Sequence, residues 1–262
     1  MPTHEQVQGQ ILTDIKPFFL VGCVRSGTTL LRDLLRQHPD LACPEETHFF
    51  RWAEPYGTGT YKGNYLRKKL FEKHRELDRI EDWDFFYTLK HSANRRMLMD
   101  HYARLYLENN NLTGRRWFDK TPQNVYGLLL ISGQYPNAQF VHIHRHPYNV
   151  VASLRRGNSF PEQEINAAVS FWYESLTIVQ QFKLGFPDRI KEIAYEALVE
   201  DPQQELDKLL HFLGEEPMQL DLTTQTVHPE KNHYRETLSP EDIAYINEQC
   251  GALMEDYGYS RA

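Results

Sequence analysis

The segment Gly22-Cys23-Val24-Arg25-Ser26-Gly27-Thr28-Thr29 constrains this chain more than any other. It stands between a short apolar run, Phe18-Phe19-Leu20-Val21, and TTLLRDLLRQ, whose Leu30, Leu31, Leu34 and Leu35 share one helical stripe. A glycine-bearing turn between a buried strand and a helix makes a phosphate loop. Glycine allows close approach, successive backbone N–H groups form a concave donor set, and the helix N-terminus adds partial positive charge. The frame is GxxxxG-T-T, with Thr28 where a Walker A loop carries lysine and with the positive charge moved onto the loop at Arg25. A nucleoside-triphosphate enzyme needs that lysine, a loop hydroxyl on Mg²⁺ and an acid from another strand. Here the lysine is missing and Asp119 is the nearest candidate acid, so the loop predicts an anion held without a metal.

The rest of the chain repeats the strand-then-helix rhythm. Gln139 to Arg145, Arg116 to Asp119, Ile190 to Tyr195 and a short Leu41-Ala42-Cys43 read as strands. Helical patterns follow from Pro147, over Asn124 to Tyr135, over Pro202 to Leu213, and in long stretches over Glu164 to Lys183 and Pro240 to Tyr257. This alternation predicts an α/β fold: one domain over 1–262, a central, mostly parallel sheet flanked by helices, and ligands at the carboxyl ends of the strands. The stretch 51–95 breaks the rhythm with Trp52, Tyr56, Tyr61, Tyr65, Trp83, Phe85, Phe86 and Tyr87. It reads as an excursion over the mouth of the sheet on the substrate side, its rings mostly packing, while 1–15 reads as a mobile N-terminus.

Composition excludes several classes. Lys and Arg number 29 against 36 Asp and Glu, a net charge of −7, so no basic field draws the chain to nucleic acid. Cys23, Cys43 and Cys250 match neither a closed disulfide framework nor a zinc site, which argues for a reducing compartment. The start, MPTHEQVQGQ, has no basic-then-apolar signal pattern, and no apolar run approaches the ~20 residues of a membrane helix. A cytoplasmic location is the expectation, and Asn111-Leu112-Thr113 is read as a chance match to a glycosylation sequon.

A second motif, HRHPYNVVASLRR, places Arg145 at a strand end and Ser153 about two turns into the next helix. A guanidinium offers paired donors to a dianion, and the adjacent helix start reinforces it. With VRSGTTLLRDLLRQHP upstream, the chain here resembles the sulfotransferase family, closest in style to tyrosylprotein sulfotransferases and related bacterial enzymes. The resemblance runs, with gaps, from Phe18 to Tyr257. It implies the P-loop NTPase-like sulfotransferase fold and 3'-phosphoadenosine 5'-phosphosulfate (PAPS) as donor, released as the 3',5'-bisphosphate PAP. By the same resemblance Arg25, Ser26, Gly27, Thr28 and Thr29 hold the 5'-phosphosulfate, and Arg145 with Ser153 reads the 3'-phosphate. Tyr195 lies near the nucleotide, and Lys231 to Leu238 closes over it, with Lys231 and Arg235 as contacts. Arg155 or Arg156 adds a further phosphate contact.

Sulfuryl transfer needs in-line positioning, a base for the acceptor proton and support for the leaving phosphate. Glu46 matches the catalytic glutamate of the tyrosylprotein branch in Glu45-Glu46-Thr47, and that of the heparan branch in Glu46-Thr47-His48-Phe49-Phe50. His48 is the competing base, read rather as an orienting histidine, and Glu45 is read as solvated. A carboxylate base works best with its pKa raised by burial, against the pull of Arg25. Lys120 resembles the family lysine that stabilises charge on the bridging oxygen, and Arg25 shares that work. The partner implied is a hydroxyl-bearing acceptor of unknown class, and the oligomeric state is open. Two rival readings stand beside this one: a metal-dependent P-loop kinase and a non-catalytic PAP-binding module.

Overall fold

The computed structural model describes residues 16–261 other than 52, 67, 68, 158, 159 and 224. The expected N-terminal segment 1–15 and Trp52 lie outside the described residues. The strands are β1 (Phe18–Val21), β2 (Leu41–Ala42), β3 (Arg116–Lys120), β4 (Gln139–His144) and β5 (Ile190–Ala194), all parallel in the order β2-β3-β1-β4-β5. Central β1 pairs Leu20 with Lys120 on one side and with Val141 on the other. The chain leaves β1 towards β2 and β3, then crosses back to β4. The strand order therefore reverses at the carboxyl end of β1, where open parallel sheets form their ligand crevice.

Helices cover both faces because the strands alternate side chains to both. Phe18, Leu20, Phe118, Val141 and Ile193 pack with α1 (Thr28–Leu35) and, beyond α9 (Tyr195–Glu200), with α10 (Pro202–Leu213). Phe19, Val21, Trp117 and Phe140 face the opposite way. The excursion consists of α2 (Gly59–Leu66), α3 (Lys69–Leu77) and α4 (Asp82–His91), followed by α5 (Arg95–Asn109). Its Tyr61, Tyr65, Phe71 and Phe85 are buried in one core with Phe49, Phe50, Phe19 and Trp117. Each such ring contributes about 1.5–3 kcal/mol by leaving water. Trp83, Phe86 and Tyr87 are exposed instead, Trp83 at 77%.

One expected helix is divided. The stretch read as helical from Asn124 to Tyr135 begins as a 3₁₀ turn, Pro122–Gly127, and only then becomes α6 (Leu128–Gln134). The turn seats the Gly127 backbone against Phe50, whose carbonyl oxygen would lie 2.4 Å from any β-carbon at position 127. The other helices follow the pattern closely: α7 (Pro147–Arg156), α8 (Ile165–Gly185) and, after a short α11 (Tyr234–Thr237), α12 (Pro240–Asp256). A reciprocal cap between Ser239 and Asp242 starts α12. Among the described residues no helix is long and apolar enough to cross a membrane.

Candidate active site

The loop after β1 turns sharply before α1 opens. Ser26 N–H donates to the Cys23 carbonyl (3.2 Å), and Leu31 N–H to that of Gly27 (3.1 Å). Gly27 has φ +95°, and a β-carbon there would lie 2.3 Å from the Tyr195 ring, so both backbone and space demand glycine. Arg25 adopts the left-handed φ of +73°. The first N–H groups of α1 point out of its N-terminus into the same crevice, by helix geometry.

The two sequence motifs, 128 residues apart, meet here. Arg25 Nε donates to Ser153 Oγ at 3.0 Å, and Arg145 Nη1 to the Arg25 carbonyl at 3.3 Å. The Arg145 guanidinium lies 4.2 Å from the Tyr195 ring centroid, and Trp172 Nε1 donates to the Arg145 carbonyl at 2.9 Å. Burial, then the charge of Arg145, push the Arg25 pKa below its usual value. Two guanidinium groups held this close make an anion site.

An internal carboxylate already touches that site. Glu230 Oε2 accepts from Arg145 Nε at 2.7 Å and from Nη2 at 2.6 Å. Sequence reasoning missed Glu230; the available signal was an acid directly before Lys231, in a segment otherwise read as closing over the nucleotide. Lys231 and Arg235 are exposed at the rim, Arg235 beside the Tyr234 ring. Arg155 pairs with Glu164 at 3.6 Å and Arg156 donates to Thr237 Oγ1 at 2.8 Å, so the structure turns neither towards the loop.

A second cluster forms where β2 and β3 end. Lys120, buried at the tip of β3, sets its Nζ 2.5 Å from Glu46 Oε1. Glu46 Oε2 lies 3.3 Å from His48 Nε2. Gly22 N–H donates to the Pro122 carbonyl at 3.2 Å and so ties the phosphate loop to this tip. Burial alone would raise the Glu46 pKa, but His48 and Lys120 outweigh it and lower the carboxyl to about 2. That corrects the expectation of a raised base, and the opposing cation is Lys120, not Arg25. The cluster adjoins a narrow crevice of about 10 Å³, lined by Glu46, Phe49, Tyr65, Phe71, His74 and Phe85, among others.

Of two neighbouring acids, Glu45 differs from its sequence reading. Glu45 is not solvated: α1 turns Arg32 and Arg36 back onto it, at 2.8 Å and 3.2 Å, and these charges lower its pKa despite burial. Asp119 is buried inside a hydrogen-bond knot and serves as a structural acceptor, not as a Walker B acid. Its Oδ1 accepts from Thr47 (2.7 Å) and Thr121 (3.3 Å), its Oδ2 from Asn124 (2.8 Å), and burial raises its pKa to about 6. Thr47 stands between Glu46 and His48, so this knot anchors the loop that carries both to β3.

Comparison with known proteins gives the family and the fold. The sulfotransferase family profile matches residues 17–219. Nodulation protein NoeE of Sinorhizobium fredii is 28% identical over 232 residues, covering 78% of this chain and 52% of that protein. Protein-tyrosine sulfotransferase 2 of Gallus gallus is 23% identical over 220 residues, covering 82% of this chain and 55% of its own length. The chain thus spans about half the length of these curated relatives. The solved sulfotransferase domain of the Synechococcus PCC 7002 olefin synthase superposes with a TM-score of 0.63 at 22% identity, over 97% of this chain and 99% of that one. At that identity the superposition speaks for the fold alone.

Proposed function

The chain belongs to the sulfotransferase family, and from that membership we propose that it moves a sulfuryl group from PAPS to a hydroxyl, giving PAP and a sulfate ester. The observation that carries the reading is the meeting of two anion-binding motifs across the β1/β4 crevice, with an acid–lysine pair at the neighbouring strand tip. The residues fit the ligand: paired cations at one end, a helix N-terminus and two threonine hydroxyls at the other. Arg25, Ser26, Gly27, Thr28 and Thr29 take the 5'-phosphosulfate, and Arg145 with Ser153 takes the 3'-phosphate. Tyr195 supplies a ring surface beside them. Lys231, exposed here next to Glu230, adds a contact when the closing segment folds over the nucleotide.

In the transfer, the acceptor oxygen forms a bond to sulfur while the bond from sulfur to the 5'-phosphate oxygen breaks. The acceptor proton passes to Glu46, and the 5'-phosphate leaves with the electron pair. Lys120 and the loop N–H groups stabilise the charge that gathers on the leaving oxygen, and Arg25 shares this work once its guanidinium leaves Ser153 Oγ, which it bonds in the resting site. A carboxyl held near 2 is a weak base in the resting pair, so Lys120 does two things in sequence. It keeps Glu46 ionised, then turns towards the bridging oxygen and leaves Glu46 more basic as the acceptor proton arrives. The aromatic cleft beside Glu46 and the segment 51–95 form the acceptor side. The acceptor is a hydroxyl compound.

Metal-free calorimetry with PAP, followed by incubation with ³⁵S-labelled PAPS and a panel of phenols, sugars, peptides and lipids, tests the reading. PAP binding without Mg²⁺ and label on one acceptor class are expected. No heat with PAP, or stabilisation by ATP only with Mg²⁺, would overturn it.

A further inference from the structure

Resting on the proposed reaction, we propose that Arg51 is a positioning residue that fixes the tautomer of His48, so that His48 serves Glu46 as a donor and never as the base. Arg51 Nη1 lies 3.2 Å from His48 Nδ1. A guanidinium has donors and no acceptor, so the ring nitrogen it meets carries the lone pair. The ring proton of the neutral imidazole then sits on Nε2, which lies 3.3 Å from Glu46 Oε2, within ion-pair reach but off the line of a well-formed N–H···O bond. The chain of donors runs one way: Arg51 to His48, His48 to Glu46.

The backbone that carries the ring is pinned. His48 is held at φ +57°, its N–H donates to Thr121 Oγ1 (3.3 Å), and its carbonyl accepts from Tyr65 O–H (2.9 Å). Phe71 packs against the imidazole at 5.1 Å between centroids. The charged and titratable groups around it are Glu46 and Arg51 on its own loop, Tyr65 on α2, His74 on α3, and Lys120 with Asp119 on β3. Burial is the first cause that lowers the His48 pKa, and Arg51 and His74 add to it against Glu46. Neutral His48 thus has no lone pair facing the acceptor side. Its Nδ1 is covered by Arg51 and its Nε2 bears hydrogen.

The consequence falls on Glu46. Lys120 bonds Oε1 and the Nε2–H of His48 lies beside Oε2, which biases the carboxylate plane while each oxygen keeps a further lone pair. One of those lone pairs receives the acceptor proton. With the opposite tautomer, the Nε2 lone pair would face the carboxylate and push it out of position.

Long-range ¹⁵N NMR of the histidine rings, assigned through His48→Gln, reads the tautomer without any acceptor. A pyridine-type Nδ1 and a pyrrole-type Nε2 are expected for His48 in the wild type, and a protonated Nδ1 would overturn the proposal. Arg51→Met should lose this signature, move protonation of His48 to higher pH, and lower kcat about tenfold while PAP affinity holds. Arg51→Lys, which keeps a donor, should restore most of it. His48→Gln, whose amide donor stands in for Nε2–H, should outperform His48→Asn. An unchanged spectrum and pH profile in Arg51→Met would sink the assignment. If Arg51→Met fails to fold, the wild-type spectrum and the Gln/Asn pair still decide. Absence of PAPS turnover in the wild type would count against the proposed reaction, whereas the spectrum alone judges the tautomer.

Discussion

The contact between Glu230 and Arg145 makes a quantitative prediction, because a carboxylate and a 3'-phosphate compete for one guanidinium. The pair is made through two N–O contacts of 2.6 and 2.7 Å, and its side chains are 18% and 13% exposed. A hydrogen bond to a charged group contributes about 1.5–3 kcal/mol. Removing the guanidinium in Arg145→Ala should therefore weaken PAP by about 10- to 150-fold. An exposed ion pair is worth about 1 kcal/mol or less, and this more buried one somewhat more. Glu230→Gln keeps the shape but drops the competing charge, so PAP should bind about 5- to 10-fold more tightly. The two effects are not independent: in the double variant the gain from Glu230→Gln should vanish. Titration calorimetry without Mg²⁺ measures all four proteins, with adenosine 5'-phosphosulfate as the ligand that lacks a 3'-phosphate. That control should respond little to either change. Equal losses for both ligands in Arg145→Ala, or a gain from Glu230→Gln that persists without Arg145, would refute the argument.

Other variants probe the remaining parts of the site. Glu46→Gln should keep PAP affinity and lose turnover about a hundredfold or more; normal turnover in a single-turnover assay would move the base elsewhere. Gly27→Ala should weaken PAP and lower the melting temperature, since the new methyl would sit 2.3 Å from the Tyr195 ring at φ +95°; an unchanged melting curve would show that the loop yields. Asp78 accepts from Glu45 N–H (2.9 Å) and Tyr102 O–H (2.6 Å), and burial raises its pKa from 3.8 to about 7. The fold prefers this acid neutral, so its contribution is full below 3.8 and is lost as pH rises through about 7. Asp78→Asn should flatten the decline in urea midpoint over that window, and an unchanged slope would assign it to other groups.

Much of this site was legible because its chemistry is local in sequence. Arg25 to Thr29 announce themselves by a glycine turn between a strand and a helix, whereas Arg145 and Ser153 stand out through their resemblance to the family's 3'-phosphate motif. Glu46 and Lys120 were singled out by their resemblance to family motifs; one lies just past β2 and the other ends β3, so parallel pairing brings both to one edge. What stayed hidden was charge pairing between distant segments. Nothing in Pro44-Glu45-Glu46 says that Arg32 and Arg36 reach Glu45 while Lys120 reaches Glu46, since that depends on how α1 turns over the β2 end. Glu230 meets Arg145 across 85 residues, beyond any periodic pattern. The break at Gly127 follows from contact with the Phe50 backbone, a tertiary constraint that overrides the apolar run behind it.

The most direct examination is a crystal structure of the protein with PAP. The account predicts the 5'-phosphate against the N–H groups of residues 25–29, the 3'-phosphate on Arg145 and Ser153, and Glu230 moved off the guanidinium. A nucleotide lodged elsewhere, or a 3'-phosphate pointing to solvent with the Glu230 contact intact, would contradict it.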